Sequence, residues 1–407
     1  MSRGVRLPLL PMLALLAHCS GAPGIEVPPP TDDAVDPSDV PLTRATHEQR
    51  ASFFKGNALF DAPFGDSDGL GPLFIHTNCR SCHTEAGKEP GVVEKMVVID
   101  REGGPAADQS KLPFGHTVRQ QVAAGATTPI LAPDDPTIRT TTRIGLSLLG
   151  RGYVEAIADS EIERVAAEQD KRVDLIGGRI NRVVYASETN PDTTFGAHTG
   201  GEVLIGRFGL KARIATLDDF TADALQGDMG VTSPLRPAEL PNPDALLDDG
   251  KPGVDVEADF VNDVANYLRL VEIPPRRGLR DRGRQLFERV QCSICHVPSL
   301  RTRADYPVAE LRGVDAPIYS DLLVHDMGIA LADGIADGNA NWREWKTTPL
   351  IGLRFSRTYL HDGRARSVEE AIQMHASSGS EAGGSIRLFN VLAESDRQEL
   401  LTFVEAL

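Results

Sequence analysis

The pentapeptide Cys-x-x-Cys-His occurs twice in this chain, as Cys79-Arg80-Ser81-Cys82-His83 and as Cys292-Ser293-Ile294-Cys295-His296. Two intervening residues set both sulfurs about one helical turn apart, on one face of a short helix. From there they can bond the two vinyl groups of a single porphyrin. The following histidine then lies beneath the iron as proximal ligand, the attachment signature of c-type haem. Cys-x-x-Cys also serves zinc binding and thiol exchange. Two copies, each followed by His, in a chain that reads as exported, point instead to two covalently bound haems and to redox chemistry. The expected cofactor-binding residues are Cys79, Cys82, His83, Cys292, Cys295 and His296, with His83 and His296 on the two irons.

Four of the five cysteines belong to these motifs, which leaves no pair for a structural disulfide. The fifth, Cys19, closes an N-terminal export pattern. Arg3 and Arg6 precede the apolar run Leu7 to Ala17, which is shorter than the roughly 20 residues a membrane span needs. Leu16-Ala17-His18-Cys19 then resembles a lipoprotein signal-peptidase site, although His18 departs from the small residue expected before the cysteine. Residues 1–19 are therefore expected to be a signal peptide of lipoprotein type. The mature protein would be periplasmic, held to the membrane only by a lipid at Cys19. Residues 20–45, with Pro28-Pro29-Pro30, read as a Pro/Asp-rich tether. A formal net charge of −16 argues against nucleic acid or an anionic membrane as partner. It suits a small basic redox protein as electron donor.

The body is expected to begin near Thr46 and to fall into two units, a first c-type haem domain over 46–272 and a second cytochrome-c-like domain over 273–407. The approach to each motif supports this. Gly71-Pro72-Leu73-Phe74 precedes the first, and Gly283-Arg284-Gln285-Leu286-Phe287 the second, an apparent internal repeat. Val261, Val264, Ala265, Leu268 and Val271 recur at helical spacing over Asp259 to Val271, and Pro274-Pro275 ends that helix. Ser367 with Glu370 forms a capping box before Val368, Ala371, Ile372 and His375. Ser395 with Gln398 opens a last helix bearing Leu400, Leu401, Val404 and Leu407. The expected fold is mainly α, two cytochrome-c-like haem domains with long loops and a few short strands such as Val92 to Ile99.

The sixth ligands decide the mechanism, because a haem with two strong axial ligands moves electrons while one with an open face can bind peroxide or oxygen. His375 lies on the apolar stripe of its helix, where an unpaired imidazole is costly, and is the expected partner of His296 on the second iron. Met374 points about 100° away on the same helix. For the first iron, no spacing rule selects among His76, Met96, His116, His198 and Met229. That silence suggests an open, reactive first haem. Glu155, in Leu149-Gly150-Arg151-Gly152-Tyr153-Val154-Glu155, is the candidate carboxylate to act as its acid and base.

Several longer stretches resemble the bacterial di-haem oxidoreductase family, related to di-haem cytochrome c peroxidases. They are Gly69-Leu70-Gly71-Pro72-Leu73-Phe74, Gly206-Arg207-Phe208-Gly209-Leu210-Lys211-Ala212 and Gly227-Asp228-Met229-Gly230-Val231-Thr232, followed by Tyr319 to Gly328 and Tyr359 to Arg366. The resemblance implies a bis-His second haem, with a ligand at the position of His375, that feeds electrons to a peroxide-reactive first haem. It also implies that His361 orders its turn, and that Arg364 or Arg366 pairs with haem propionates. Two departures stand out. Leu210 replaces the family's usual tryptophan, and the only tryptophans are Trp342 and Trp345. Arg357-Thr358 replaces the usual Ala-Pro in a turn through which related enzymes bind an inter-haem calcium, so the calcium expectation weakens.

The leading expectation is an exported di-haem peroxidase-type oxidoreductase acting on hydrogen peroxide or another small oxidant. The alternatives are a pure electron-transfer cytochrome, a haem oxygenase or protein-modifying oxidase, and a zinc or thiol–disulfide protein.

Overall fold

The computed structural model describes residue 1 and residues 35–407 apart from 124, 175, 248 and 249. The expected signal peptide, the lipid site at Cys19 and most of the tether lie outside the described residues. Helix α1 (His47–Asp61) starts at a reciprocal cap between Thr46 and Gln49. After the first Cys-x-x-Cys-His turn come α2 (Arg151–Ala156), α3 (Asp159–Gln169), α4 (Leu217–Ala224) and α5 (Ala258–Leu270). Helix α6 (Asp281–Arg289) leads into the second turn, and α7 (Val368–Met374), α8 (Gly383–Asn390) and α9 (Glu394–Glu405) end the chain. Helix outweighs strand, 31% against 15%, yet more than half of the chain is in neither. The expected "mainly α" fold is thus helices joined by long loops, with small two-stranded antiparallel sheets. The longest pairs Val92–Val98 with Ile138–Ile144, from Val92↔Ile144 to Val98↔Ile138. No helix among the described residues is long and apolar enough to cross a membrane.

Two helix crossings frame the motifs. At Gly56 of α1, a Cβ would meet the Asp263 carbonyl oxygen at 2.2 Å and Tyr267 Cβ at 2.7 Å. Glycine within a helix costs roughly 0.5–1 kcal/mol relative to alanine. Here it lets α1 and α5 approach until Phe53 and Phe60 lie 5.2 and 5.4 Å from the Tyr267 ring. Gly283 does the same between α6 and α9, its Cβ position 2.4 Å from Phe403 Cβ, and Phe287 packs on Phe403 at 5.6 Å. Phe60 then stands 5.9 Å from the His83 ring, and Phe287 6.4 Å from His296. The internal repeat is therefore Gly56-Asn57-Ala58-Leu59-Phe60 against Gly283-Arg284-Gln285-Leu286-Phe287. The expected partner, Gly71 to Phe74, instead contributes a short strand, Leu73–Phe74, paired with Gln121–Val122.

The core does not respect a boundary at 272/273. The largest apolar cluster joins Phe53, Phe60 and Tyr267 to Leu300, Tyr306, Leu311, Ile318 and Ile351. Arg143 adds a buried ion pair across the same line, with Nε and Nη2 at 2.8 and 2.6 Å from Asp333 Oδ2. The loop after the first motif is also pinned by the far end of the chain. Gly87 N donates to Phe355 O (2.8 Å), Arg357 Nε donates to Gly87 O (2.7 Å), and Ile144 N donates to His361 O (2.9 Å). A second cluster around Phe287, Phe389 and Phe403 encloses the second motif.

Three local expectations are corrected. The packed body includes residues ahead of Thr46, since fully buried Leu42 donates its N–H to Leu270 O (2.8 Å). Helix α9 starts after Ala393, with Ser395 inside it and no side-chain cap. At α7, Ser367 accepts from Glu370 N (3.1 Å), but the Glu370 carboxylate turns to Arg366 N (2.8 Å), so the box is half made.

Candidate functional site

Each motif folds as one tight turn. Cys79–Ser81 is started by Asn78, whose Oδ1 accepts from Ser81 N (2.9 Å), and the turn closes with His83 N donating to Cys79 O (3.0 Å). Its counterpart Cys292–Ile294 closes with His296 N on Cys292 O (2.9 Å). All four cysteines are free and partly buried, and Cys292 and Cys295 line the interior cavity described below. Burial pushes the Cys79, Cys82 and Cys292 thiols up to about 12, and the charge of Asp228 adds to the rise at the first pair. Burial also raises Cys295.

The motif histidines and His375 share one arrangement. His83 Nδ1 is 2.6 Å from Leu146 O, His296 Nδ1 is 3.0 Å from Tyr319 O, and His375 Nδ1 is 2.7 Å from Ala371 O. A carbonyl on Nδ1 fixes the tautomer with its proton there and leaves Nε2 as a lone-pair donor, as a metal-bound imidazole requires. Burial lowers all three, His296 to about 4, so they are neutral at physiological pH. His375 stands near enough to His296 for its charge to depress it further. His375 itself is the C-terminal cap of α7.

One cavity of about 380 Å³ runs past His83, His296 and His375. Its wall tests whether porphyrins fit. Arg151 and Lys346 both line it, and neither pairs with a carboxylate: Arg151 is held by Ser147 O, and Lys346 Nζ donates to Arg207 O (3.1 Å). Burial lowers them to about 10 and about 7, with the neighbouring Arg151 adding to the fall at Lys346. Deep cations on the cavity wall, neither of them paired with a carboxylate, match the carboxylate arms of haem. The expected propionate partners do not reach this wall. Arg364 is tied to Asp362 (2.5 Å) and Arg366 to Glu89 (2.9 Å).

Glu155 is also corrected. Its Oε1 accepts from Leu217 N (2.8 Å) and Arg269 Nη2 (3.1 Å), and its Oε2 from Arg269 Nε (2.7 Å) and the Tyr306 hydroxyl (2.7 Å). It does not line the cavity. A carboxylate so fully engaged anchors α2 to α5 and has no face left for a proton shuttle. Glu155→Ala would leave the buried Arg269 guanidinium only Asp218 (3.4 Å) and Asn266 (3.0 Å), at a cost of up to about 3–5 kcal/mol. Urea unfolding of the variant is expected to show that loss, with the absorption spectrum of the folded protein unchanged.

None of the residues considered for the first iron lines the cavity. Met96 and Met229 are packed in apolar clusters, His116 Nδ1 faces Met96 O (2.9 Å), and His198 faces Glu202 (3.1 Å). Three features escaped sequence reasoning. Asp228 sits on a wide π turn, Leu225–Met229, that packs against Cys79 within an apolar cluster. Such turns recur at functional sites, and the Gly-Asp-Met-Gly stretch was the available signal. Trp345 and His361 stack flat on the cavity wall, with centroids 3.9 Å apart and planes 17° apart. Asp321, His325 and Glu381 form a buried polar group beside Cys295.

A single interior space lined by His83, His296 and His375 suits one class, the di-haem redox enzymes. The family model described as "Di-haem oxidoreductase, putative peroxidase" matches residues 116–407, and the chain belongs to that family. The first motif lies ahead of the matched residues. No curated protein matches the chain. Among solved structures, it is similar to hydrazine synthase of Kuenenia stuttgartiensis, determined under xenon pressure, at 14% identity and TM-score 0.37, over 98% of this chain and 100% of that one. It is also similar to a MauG-like protein associated with microbial copper homeostasis, at 15% identity and TM-score 0.32, over 62% of this chain and 89% of that one.

Proposed function

We propose that this chain is an exported di-haem c-type oxidoreductase of peroxidase type. One haem, joined to Cys292 and Cys295 and ligated by His296 and His375, serves electron transfer. The other, joined to Cys79 and Cys82 and ligated by His83, keeps an open face for hydrogen peroxide. Bound haem supplies one-electron transfer where both axial sites are filled and peroxide activation where one is free.

The observation that carries this reading is the inequality of the histidines. His296 shares the cavity wall with His375, a second imidazole whose Nδ1 is taken by a carbonyl, whereas none of the other His and Met residues weighed for His83 lines that wall. Asp228, which like Glu155 is not on the cavity wall but lies on the turn packed against Cys79, is assigned the acid–base role because it is not tied up as Glu155 is. It lies among Lys95, Arg213, Asp223 and Arg119, near both thiols of the first motif. Its carboxyl can take a proton from the bound oxidant and return it to the leaving oxygen. Arg151 and Lys346 would hold porphyrin carboxylates. Export rests on the pattern of residues 1–19, and a small basic protein as donor rests on the net charge of −16.

Two measurements test the proposal. A pyridine haemochrome assay after acid–acetone extraction is expected to give two retained haems per chain, and one or none would sink covalent attachment at both motifs. Rapid mixing of the protein with hydrogen peroxide is expected to shift the Soret band and to sustain turnover with a reduced donor. No spectral response would leave only the electron-carrier reading.

A further inference from the structure

We propose that Asp321, His325 and Glu381 form a fixed carboxylate–imidazolium–carboxylate unit that sets the reduction potential of the haem at Cys292–His296. The inference rests on the reading above that this haem is bound there. His325 lies on the short strand Val324–Asp326 and is 2% exposed. Its Nε2 is 2.9 Å from Asp321 Oδ2 and its Nδ1 is 2.7 Å from Glu381 Oε2, so both ring nitrogens face carboxylate oxygens.

The protonation state follows from the donors around each acid. Asp321 accepts from Leu323 N (2.9 Å) and from Gln169 Nε2 (2.8 Å) besides His325. Glu381 accepts from Asp326 N (2.9 Å) and from Gly177 N (3.0 Å) besides His325. Carboxylates accepting several N–H groups are held ionised. An imidazole between two such anions must carry both protons. The unit is one cation between two anions and bears one net negative charge.

It is built against the second motif. His325 Nδ1 is 3.8 Å from Cys295 Sγ, Asp321 N donates to Cys295 O (2.8 Å), and Gln169 Nε2 also donates to Ile294 O (3.0 Å). His325 and Glu381 line the cavity with His296. The ligand atoms of Cys295, Asp321 and His325 lie within 4.8 Å of one another, a spacing that would suit a metal ion. Both imidazole nitrogens are already engaged, however, and the sulfur belongs to the haem. A metal has nothing left to bind. A net negative charge in a dry interior beside a haem favours its oxidised, more positive state. The second haem is thereby biased to give its electron up, the direction that peroxide chemistry at the first haem needs.

The test is a spectroelectrochemical titration of the holoprotein, resolving the two haems by their spin-state bands. Glu381→Gln removes one negative charge in an isosteric side chain. It is expected to raise the second haem's potential by about 59 mV, a tenfold change in its ferric/ferrous ratio for one electron. His325→Gln removes the cation and leaves two anions, so it is expected to shift that potential the opposite way. The first haem should not move in either variant. Opposite shifts support the unit as an electrostatic device; shifts of one sign, or none, overturn it. If His325→Gln does not fold, the upward shift in Glu381→Gln alone decides. Absence of haem at the second motif, read by the haemochrome assay, would instead overturn the functional reading beneath.

Discussion

His375→Ala is expected to abolish the low-spin ferric EPR signal of the second haem and to replace it with a high-spin one, while two haems per chain are retained. On the proposed reading the effect is all-or-none, because His375 would supply one axial ligand and little else. His375 caps the C-terminus of α7, a helix whose first turn is held by Ser367 and whose buried Val368 packs in the second cluster. Alanine at a C-cap keeps that helix, so the loss falls on the iron. Added imidazole is expected to restore the low-spin signal by filling the opened face. A low-spin signal that persists in the variant without added ligand would refute the assignment.

Asp228→Asn is expected to slow the reaction with peroxide by about 10²–10⁴-fold, the usual weight of a positioned acid–base group. The substitution keeps the shape of the π turn, whose backbone is held by Gly71 N on Met229 O (3.1 Å) and Ile75 N on Asp228 O (2.7 Å). Burial lifts the Asp228 carboxyl above its ordinary value, with Asp223 adding to the rise and Lys95 and Arg213 opposing it. To accept a proton the group must be ionised. The wild-type rate should therefore fall as pH drops through a pKa above the roughly 3.9 of an unperturbed aspartate. The Asn variant should lose that limb. Stopped-flow rates across pH check both points, with unchanged haem content and spin state as the control. A variant that keeps both rate and pH limb would remove Asp228 from the mechanism.

What could be read from the residues was what is local. The Cys-x-x-Cys-His turns, the spacing of Val261, Val264, Ala265 and Leu268 on α5, and Ser367 at the start of α7 depend on neighbours within a turn or two. The position of His375 on an apolar stripe is of the same kind. The repeat was misaligned because the loop between Gly-x-x-Leu-Phe and the cysteines is much longer in the first half, and Gly71 to Phe74 fell nearer in sequence. Glu155 was misread because its partners Arg269 and Tyr306 lie 114 and 151 residues away. Nothing beside Glu155 announces them. The missing tryptophan at Leu210 shows the same limit. Lys346 N donates to Leu210 O (3.0 Å), which brings Trp345 from the opposite half onto the wall beside it. Only the fold reveals that an aromatic ring stands on the wall that Leu210 shares.

The pinning of Gly87 by Phe355 and Arg357, and of Ile144 by His361, bears on the order in which the molecule is made. In a chain made from its N-terminus Cys79 and Cys82 come early, while two of the hydrogen bonds that hold the loop beside them wait for Phe355 and Arg357. Cofactor capture at the first motif can thus precede closure of its walls. The second motif meets its own partner helices α7 and α9 within the next stretch of chain. On the proposed reading the two haem sites, written as copies in the sequence, would be completed at different points along the chain, the C-terminal part closing the earlier site.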